Sequence, residues 1–134
     1  MTTVRCETIT ANEYPMAVKV REHAFTADLT ASSGSTDSAP GPHDFFDAAL
    51  ATCKVSTVMW YAKRHGIPLE RVECVVDSDN AQERQGVYKY RVTLVFHGTL
   101  TDDHRAQLVR AAGACPITKL MTTTEIEIET SVPG

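Results

Sequence analysis

Four cysteines, Cys6, Cys53, Cys74 and Cys115, are the residues of this sequence with the most chemistry to offer. Their spacings match no C-x-x-C zinc or thioredoxin pattern, so each thiol is weighed separately. The thiolate is the nucleophile, so the question at each position is what lowers the pKa. Cys115 stands directly before Pro116, at the N-cap of a short predicted helix, where spare N–H groups and the helix dipole favour a thiolate. Cys53 has no such local help. It lies midway along the apolar run FFDAALATCKVSTVMWYA, residues 45–62, where a helix offers no spare N–H and an apolar surround raises a thiol's pKa. By local physics it is a core residue unless tertiary neighbours, a cation or a carboxylate fixed by one, hold its thiolate. Cys6 and Cys74 fall on strand-like patterns without special neighbours and read as small core hydrophobes.

His43, at a helix start, is either a solvated residue or a polar neighbour that, when charged, helps ionise Cys53. No metal is expected: Asp44 and Cys53 are about two and a half helical turns apart, too far for His43, Asp44 and Cys53 to share one ion without further segments.

The elements that must position these residues follow from pattern. Residues 2–9 and 16–21 alternate apolar and polar positions around a turn at Asn12 and Pro15, and His23 to Thr30 continues in the same style, which predicts a short antiparallel meander. Residues 31–44, ASSGSTDSAPGPHD, form a loop that ends in a helix start. Pro42 suits the first helical turn, and Lys63, Arg64, His65 and Gly66 mark the end. The helix between is about 35 Å long at about 1.5 Å per residue. It is apolar nearly all round, yet Asp47 and Lys54 interrupt it, so it reads as a buried central helix and not as a membrane span. A chain of 134 residues cannot easily sheathe such a helix alone, and a second copy is expected to supply the cover.

Residues 71–78 and 87–98 predict a hairpin, and Thr101 caps the helix DDHRAQLVRAAGA. Cys115-Pro116 opens a second short helix. TEIEIETSV predicts a closing strand with Glu125, Glu127 and Glu129 on a solvated face or a guarded edge. The order βββ, α, ββ, αα, β is an α+β fold in one domain, residues 1–134, with a meander over 1–33 and a helix and sheet core over 34–134. Thirteen Lys and Arg against seventeen Asp and Glu, a net charge of −4, form no basic stripe, so neither nucleic acid nor a membrane is an expected partner. The N-terminus carries no apolar signal region, and a cytoplasmic protein with reduced thiols is expected.

The segment GSTDSAPGPHDFFDAALATCKVSTVMWYAKRHGIPLERVEC, with the later GACPITK, resembles the OsmC-like family of osmotically inducible and organic hydroperoxide resistance proteins. The resemblance runs from about Gly34 to Met121 and implies an intertwined homodimer with two long central helices between sheets. It implies that Cys53 is the peroxidatic thiol of an organic hydroperoxide reductase and Cys115 the resolving one. No cofactor is then bound, and an external dithiol or thiol is the reductant. One branch of the family carries a Glu ten positions before the first cysteine, where this chain has His43. Another carries its acid nine before, which makes Asp44 the candidate. The activating arginine of the family comes from the N-terminal strands; Arg21 is the candidate, although neither it nor Arg5 lies in a matching motif. Phe46 and Met59, with His43, are the candidate substrate-binding residues. Met59, Trp60 and Tyr61 also read as plain helix packing. The other reading of the same fold is a ligand-binding or redox-responsive stress protein without turnover.

Overall fold

The computed structural model describes residues 1–133. Three strands, β1 (Val4–Thr8), β2 (Met16–Val20) and β3 (His23–Ala27), form an antiparallel sheet in that order. Register pairs Cys6 with Val18 and Val18 with Phe25, so the alternation puts Val4, Cys6, Val18, Val20 and Phe25 on one apolar face. The β2–β3 connection is the two-residue turn Arg21-Glu22, with Arg21 at φ 52°, the positive φ that tight hairpin turns demand. Cys6 is exposed and not a core residue as expected, because β1 is an edge strand whose five residues are all exposed in the single chain.

The Ser-rich loop is organised by one carboxylate. Asp28, fully buried, accepts hydrogen bonds from the Leu29 N–H (2.7 Å), the Thr36 hydroxyl (3.0 Å), the Ser38 N–H (2.8 Å) and hydroxyl (2.7 Å), and the Ser35 hydroxyl. A 3₁₀ turn, Ala31–Ser33, lies inside this loop.

Helix α1 runs from Pro42 to Arg64, as Pro42 and the basic last turn predict. Asp44 accepts from the Gly41 N–H at 2.8 Å, satisfying a donor ahead of the first turn. At the other end Gly66, at φ 65°, lets the Ile67 N–H reach back to the Ala62 carbonyl at 2.9 Å. The expected all-round cover is not supplied by the chain itself. Only Leu50, Lys54, Val58 and Ala62 are buried, a single stripe four residues apart, while Phe46 is 47% and Trp60 60% exposed.

Strands β4 (Leu69–Asp79) and β5 (Lys89–Gly98) make a two-stranded antiparallel sheet with a register irregularity between Leu69 and Arg71. A Cβ on Gly98, at φ 148°, would collide with the Pro68 carbonyl, so only glycine fits there. Helix α2 (Asp102–Gly113) starts at a reciprocal cap between Thr101 and His104, and α3 (Pro116–Thr122) starts at Cys115. The core joins Val58 and Ala62 of α1, Ile67, and Leu108 and Ala112 of α2, with Leu69, Val72, Leu94 and Phe96 of the hairpin packed on it.

The closing strand predicted over 124–132 does not form. Those residues carry no strand, and Ile126 and Ile128 are 62% and 84% exposed. An alternating pattern becomes a strand only against a hydrogen-bonding neighbour, and neither sheet of the chain pairs with this segment. Residues 1–48 and 49–134 form two compact units, the division falling within α1.

Candidate active site

In the second unit, two sulfurs remote in sequence meet at the first turn of α3. Cys115 is its N-cap: the Cys115 Sγ accepts from the Thr118 N–H at 3.4 Å and lies 2.9 Å from the Thr118 hydroxyl. Cys53, mid-helix on α1, finds its donor in the neighbouring residue of the same turn, since the Ile117 N–H points at the Cys53 Sγ at 3.5 Å. The Thr57 hydroxyl, one turn further along α1, is 3.8 Å from it. Pro116 lacks an N–H, so the first two donors of the turn belong to Ile117 and Thr118, and one goes to each sulfur. All four cysteines are free thiols, Cys53 half-buried and Cys115 almost fully buried.

Burial pushes the Cys115 thiol up. The Thr118 hydroxyl and N–H, the Cys53 thiol and the Lys54 ammonium together outweigh it, and Cys115 titrates below the ordinary thiol value. Cys74, half-buried on β4, goes the other way: burial raises it, with a further push from Cys115, and Lys54 only partly offsets this.

Sequence reasoning gave Lys54 no role beyond interrupting the apolar run. In the structure it is a member of the buried stripe, 8% exposed, with its Nζ donating to the Ala112 carbonyl at 2.7 Å. The signal was available: Lys54 stands four residues after Leu50 and four before Val58, on the face the core must cover. Thr118, three residues past Cys115 in the position of a capping partner, was equally legible and was not singled out.

Of the other candidates, His43, Asp44, Phe46 and Arg21 belong to the first unit and Met59 to the second. Asp44 and His43 are exposed on the first turn of α1, Asp44 bonded to the Gly41 N–H, and Phe46 is exposed one residue beyond Phe45. Phe45 packs on Phe25, with ring centroids 5.4 Å apart. Met59 is half-buried on α1, next to Trp60, over whose ring Arg64 lies at 5.4 Å. Arg21 belongs to the first unit, in the β2–β3 turn, and both sulfurs to the second. Among the described residues no arginine donates a hydrogen bond to either sulfur. No group of His, Cys, Asp and Glu among them is arranged to hold a metal ion.

A family model described as OsmC-like protein matches residues 34–131, most of the chain and both sulfurs. The chain belongs to the OsmC-like family. No curated protein matches it in sequence comparison. Among solved structures, one from Psychrobacter arcticus, assigned to the osmotic stress induced and detoxification response proteins, superposes with a TM-score of 0.76 at 16% identity, covering 92% of this chain and 90% of that one. An organic hydroperoxide resistance protein OsmC from Legionella pneumophila gives 0.66 at 21% identity, with 92% and 90% covered. The organic hydroperoxide resistance protein OhrB of Bacillus subtilis gives 0.57 at 25%, with 92% and 91% covered. The α+β fold of this chain is therefore the OsmC-like fold, and the paired sulfurs of α1 and α3 lie within the matched region. Among the described residues no helix is long and apolar enough to cross a membrane.

Proposed function

We propose that this OsmC-like protein reduces organic hydroperoxides through Cys53 and Cys115, in keeping with the redox stress role named for the Legionella and Bacillus proteins it resembles. The observation that carries the reading is that the two sulfurs share one helical turn, each accepting from one of its N–H groups. The Cys53 thiolate attacks the terminal oxygen of the hydroperoxide; an S–O bond forms, the O–O bond breaks, and the alkoxide leaves to pick up a proton as the alcohol. Cys115 then attacks the Cys53 sulfenic sulfur, the S–O bond breaks, hydroxide leaves as water, and a disulfide remains. An external dithiol supplies the two electrons that reopen it.

Cover for the exposed faces of α1, Phe46 and Trp60 included, comes in this reading from a second copy of the chain. The cell compartment proposed is the reducing cytoplasm, where four free thiols persist between turnovers. His43, standing where one branch of the family carries its Glu, favours a second reading, a redox-responsive protein that forms the disulfide without sustained turnover.

The test is consumption of cumene hydroperoxide by the purified protein with dithiothreitol as donor, beside Cys53→Ser and Cys115→Ser. We expect turnover in the parent and background rates in Cys53→Ser. Mass spectrometry is expected to find one peptide pair joined through Cys53 and Cys115 after one equivalent of peroxide. A joined pair with no steady-state consumption establishes the second reading, and neither product rules out both. Sedimentation analysis of the same sample is expected to give a dimer.

A further inference from the structure

We infer that Lys54 is a positioning residue of the thiol pair: its ammonium ties the C-terminal end of α2 to α1 and thereby holds the Cys115 turn against Cys53. The inference deepens the disulfide reading of Cys53 and Cys115 and rests on that pairing.

The last four carbonyls of a helix lack intrahelical partners and must be met by other donors. At the end of α2 the Ala111 carbonyl is met by the Ala114 N–H at 3.0 Å. For the Ala112 carbonyl the donor four positions on is missing, because that residue is Pro116 and carries no N–H. Ala112 is buried, so its carbonyl needs a partner from the protein. Lys54 of α1, 58 positions away in sequence, supplies it, the Nζ donating at 2.7 Å. A buried ammonium is costly unless its charge is compensated. Here it faces the negative end of the α2 dipole, the place on a helix where a cation is favoured. A lysine therefore suits a stripe otherwise made of Leu50, Val58 and Ala62.

The bond sits where the sulfurs need it. Lys54 follows Cys53 by one residue, and Ala112 precedes Cys115 by three. One short contact thus fixes the backbone beside the first sulfur to the chain just ahead of the second. After Cys115 the chain enters α3, whose Ile117 N–H reaches the Cys53 Sγ at 3.5 Å. The Cys115 turn is pinned to α1 on both sides, and the ammonium–carbonyl bond is the shorter and stronger of the two anchors. Two thiols held within reach close to a disulfide at high effective concentration, and loosening an anchor lowers it.

The test compares Lys54→Met, which keeps a long buried side chain and removes donor and charge, with Lys54→Arg, which keeps both. Reduced protein is equilibrated in one glutathione redox buffer, quenched in acid and digested. Mass spectrometry then gives the ratio of Cys53–Cys115 disulfide to Cys53–glutathione mixed disulfide. In that exchange Cys53 displaces one glutathione from its disulfide and Cys115 displaces the second, so the ratio reports how well Cys115 is presented. Lys54→Met is expected to lower the ratio about tenfold, and Lys54→Arg to stay within about twofold of the parent. Asp28→Asn, in the Ser-rich loop, is expected to lower stability and keep the parent ratio. A folded Lys54→Met protein with the parent ratio overturns the inference, and so does an equal fall in Asp28→Asn, which would mark a general loss of stability. Should Lys54→Met not fold, Lys54→Gln, a shorter and uncharged donor, is read in its place; a fall of about threefold is expected, and an unchanged ratio overturns the inference. The ratio needs no hydroperoxide. A protein that closes the disulfide and consumes no peroxide sinks the enzymatic reading and leaves the Lys54 assignment standing, whereas normal turnover with an unchanged ratio in Lys54→Met does the opposite.

Discussion

Asp28 and Cys115 are both buried acidic groups whose surroundings favour the charged form, and they do so in different ways. Asp28 accepts five hydrogen bonds from oxygen and nitrogen donors, the four with stated lengths lying between 2.7 and 3.0 Å, all from its own loop. The Ser35 hydroxyl and the Ser38 N–H, against the opposing effect of burial, hold its carboxyl well below the usual carboxylate range. Cys115 has one N–H at 3.4 Å, one hydroxyl, a thiol neighbour and a buried cation, and its pKa is only moved below that of an ordinary thiol. A fully saturated anion is a structural pin, because every lone pair is committed and nothing is left for a reactant. A sulfur with few donors keeps a free lone pair for a reactant.

Breaking the pin is expected to have the largest effect. Asp28→Ala orphans the Ser38 N–H and hydroxyl together with the Ser35 and Thr36 hydroxyls. The expected result is a clear fall in the thermal unfolding midpoint, with rapid amide exchange at Leu29 and Ser38; a midpoint matching the parent would show that the loop is held otherwise. Acid probes the same pin more gently. The folded pKa of Asp28 is depressed, so its contribution is fully present above the unfolded carboxylate value, roughly pH 4, and is lost progressively as pH falls below it. Denaturant midpoints measured between neutral pH and about pH 3 should decline in the parent, and the decline should shrink in Asp28→Asn.

The smallest effect sharpens the other side. Thr118→Val removes the hydroxyl near Cys115 and keeps the N–H, so the midpoint of Cys115 ionisation, read from its Cβ chemical shift against pH, should rise, while stability changes by about 1 kcal/mol or less. An unmoved midpoint would show that the hydroxyl does not act on the sulfur.

Much of the architecture was readable from local signals. Pro42, the Lys63-Arg64 turn and Gly66 bound α1, and Thr101 caps α2, because capping and termination depend on residues within a few positions. The placing of Cys115 at an N-cap was readable for the same reason. The Ile and Glu alternation of 124–132 misled, since a strand is defined by a partner that local pattern does not supply. Cys6 misled in the same way, its strand pattern saying nothing about its position at a sheet edge. The Asp28 pin went unread because its donors become convergent only when the loop closes on it.

By itself the sequence determined where the helices begin and end, which segments form the meander and the hairpin, and that Cys115 begins a helix. These rest on propensities, caps and periodicity, which act over a turn or two of chain. Only the tertiary structure decided that Cys53, without a spare N–H on its own helix, receives one from Ile117, and that a lysine next to it in sequence turns inward to the Ala112 carbonyl. A helix presents successive residues to different neighbours about 100° apart, so Cys53 meets α3 while Lys54 meets α2.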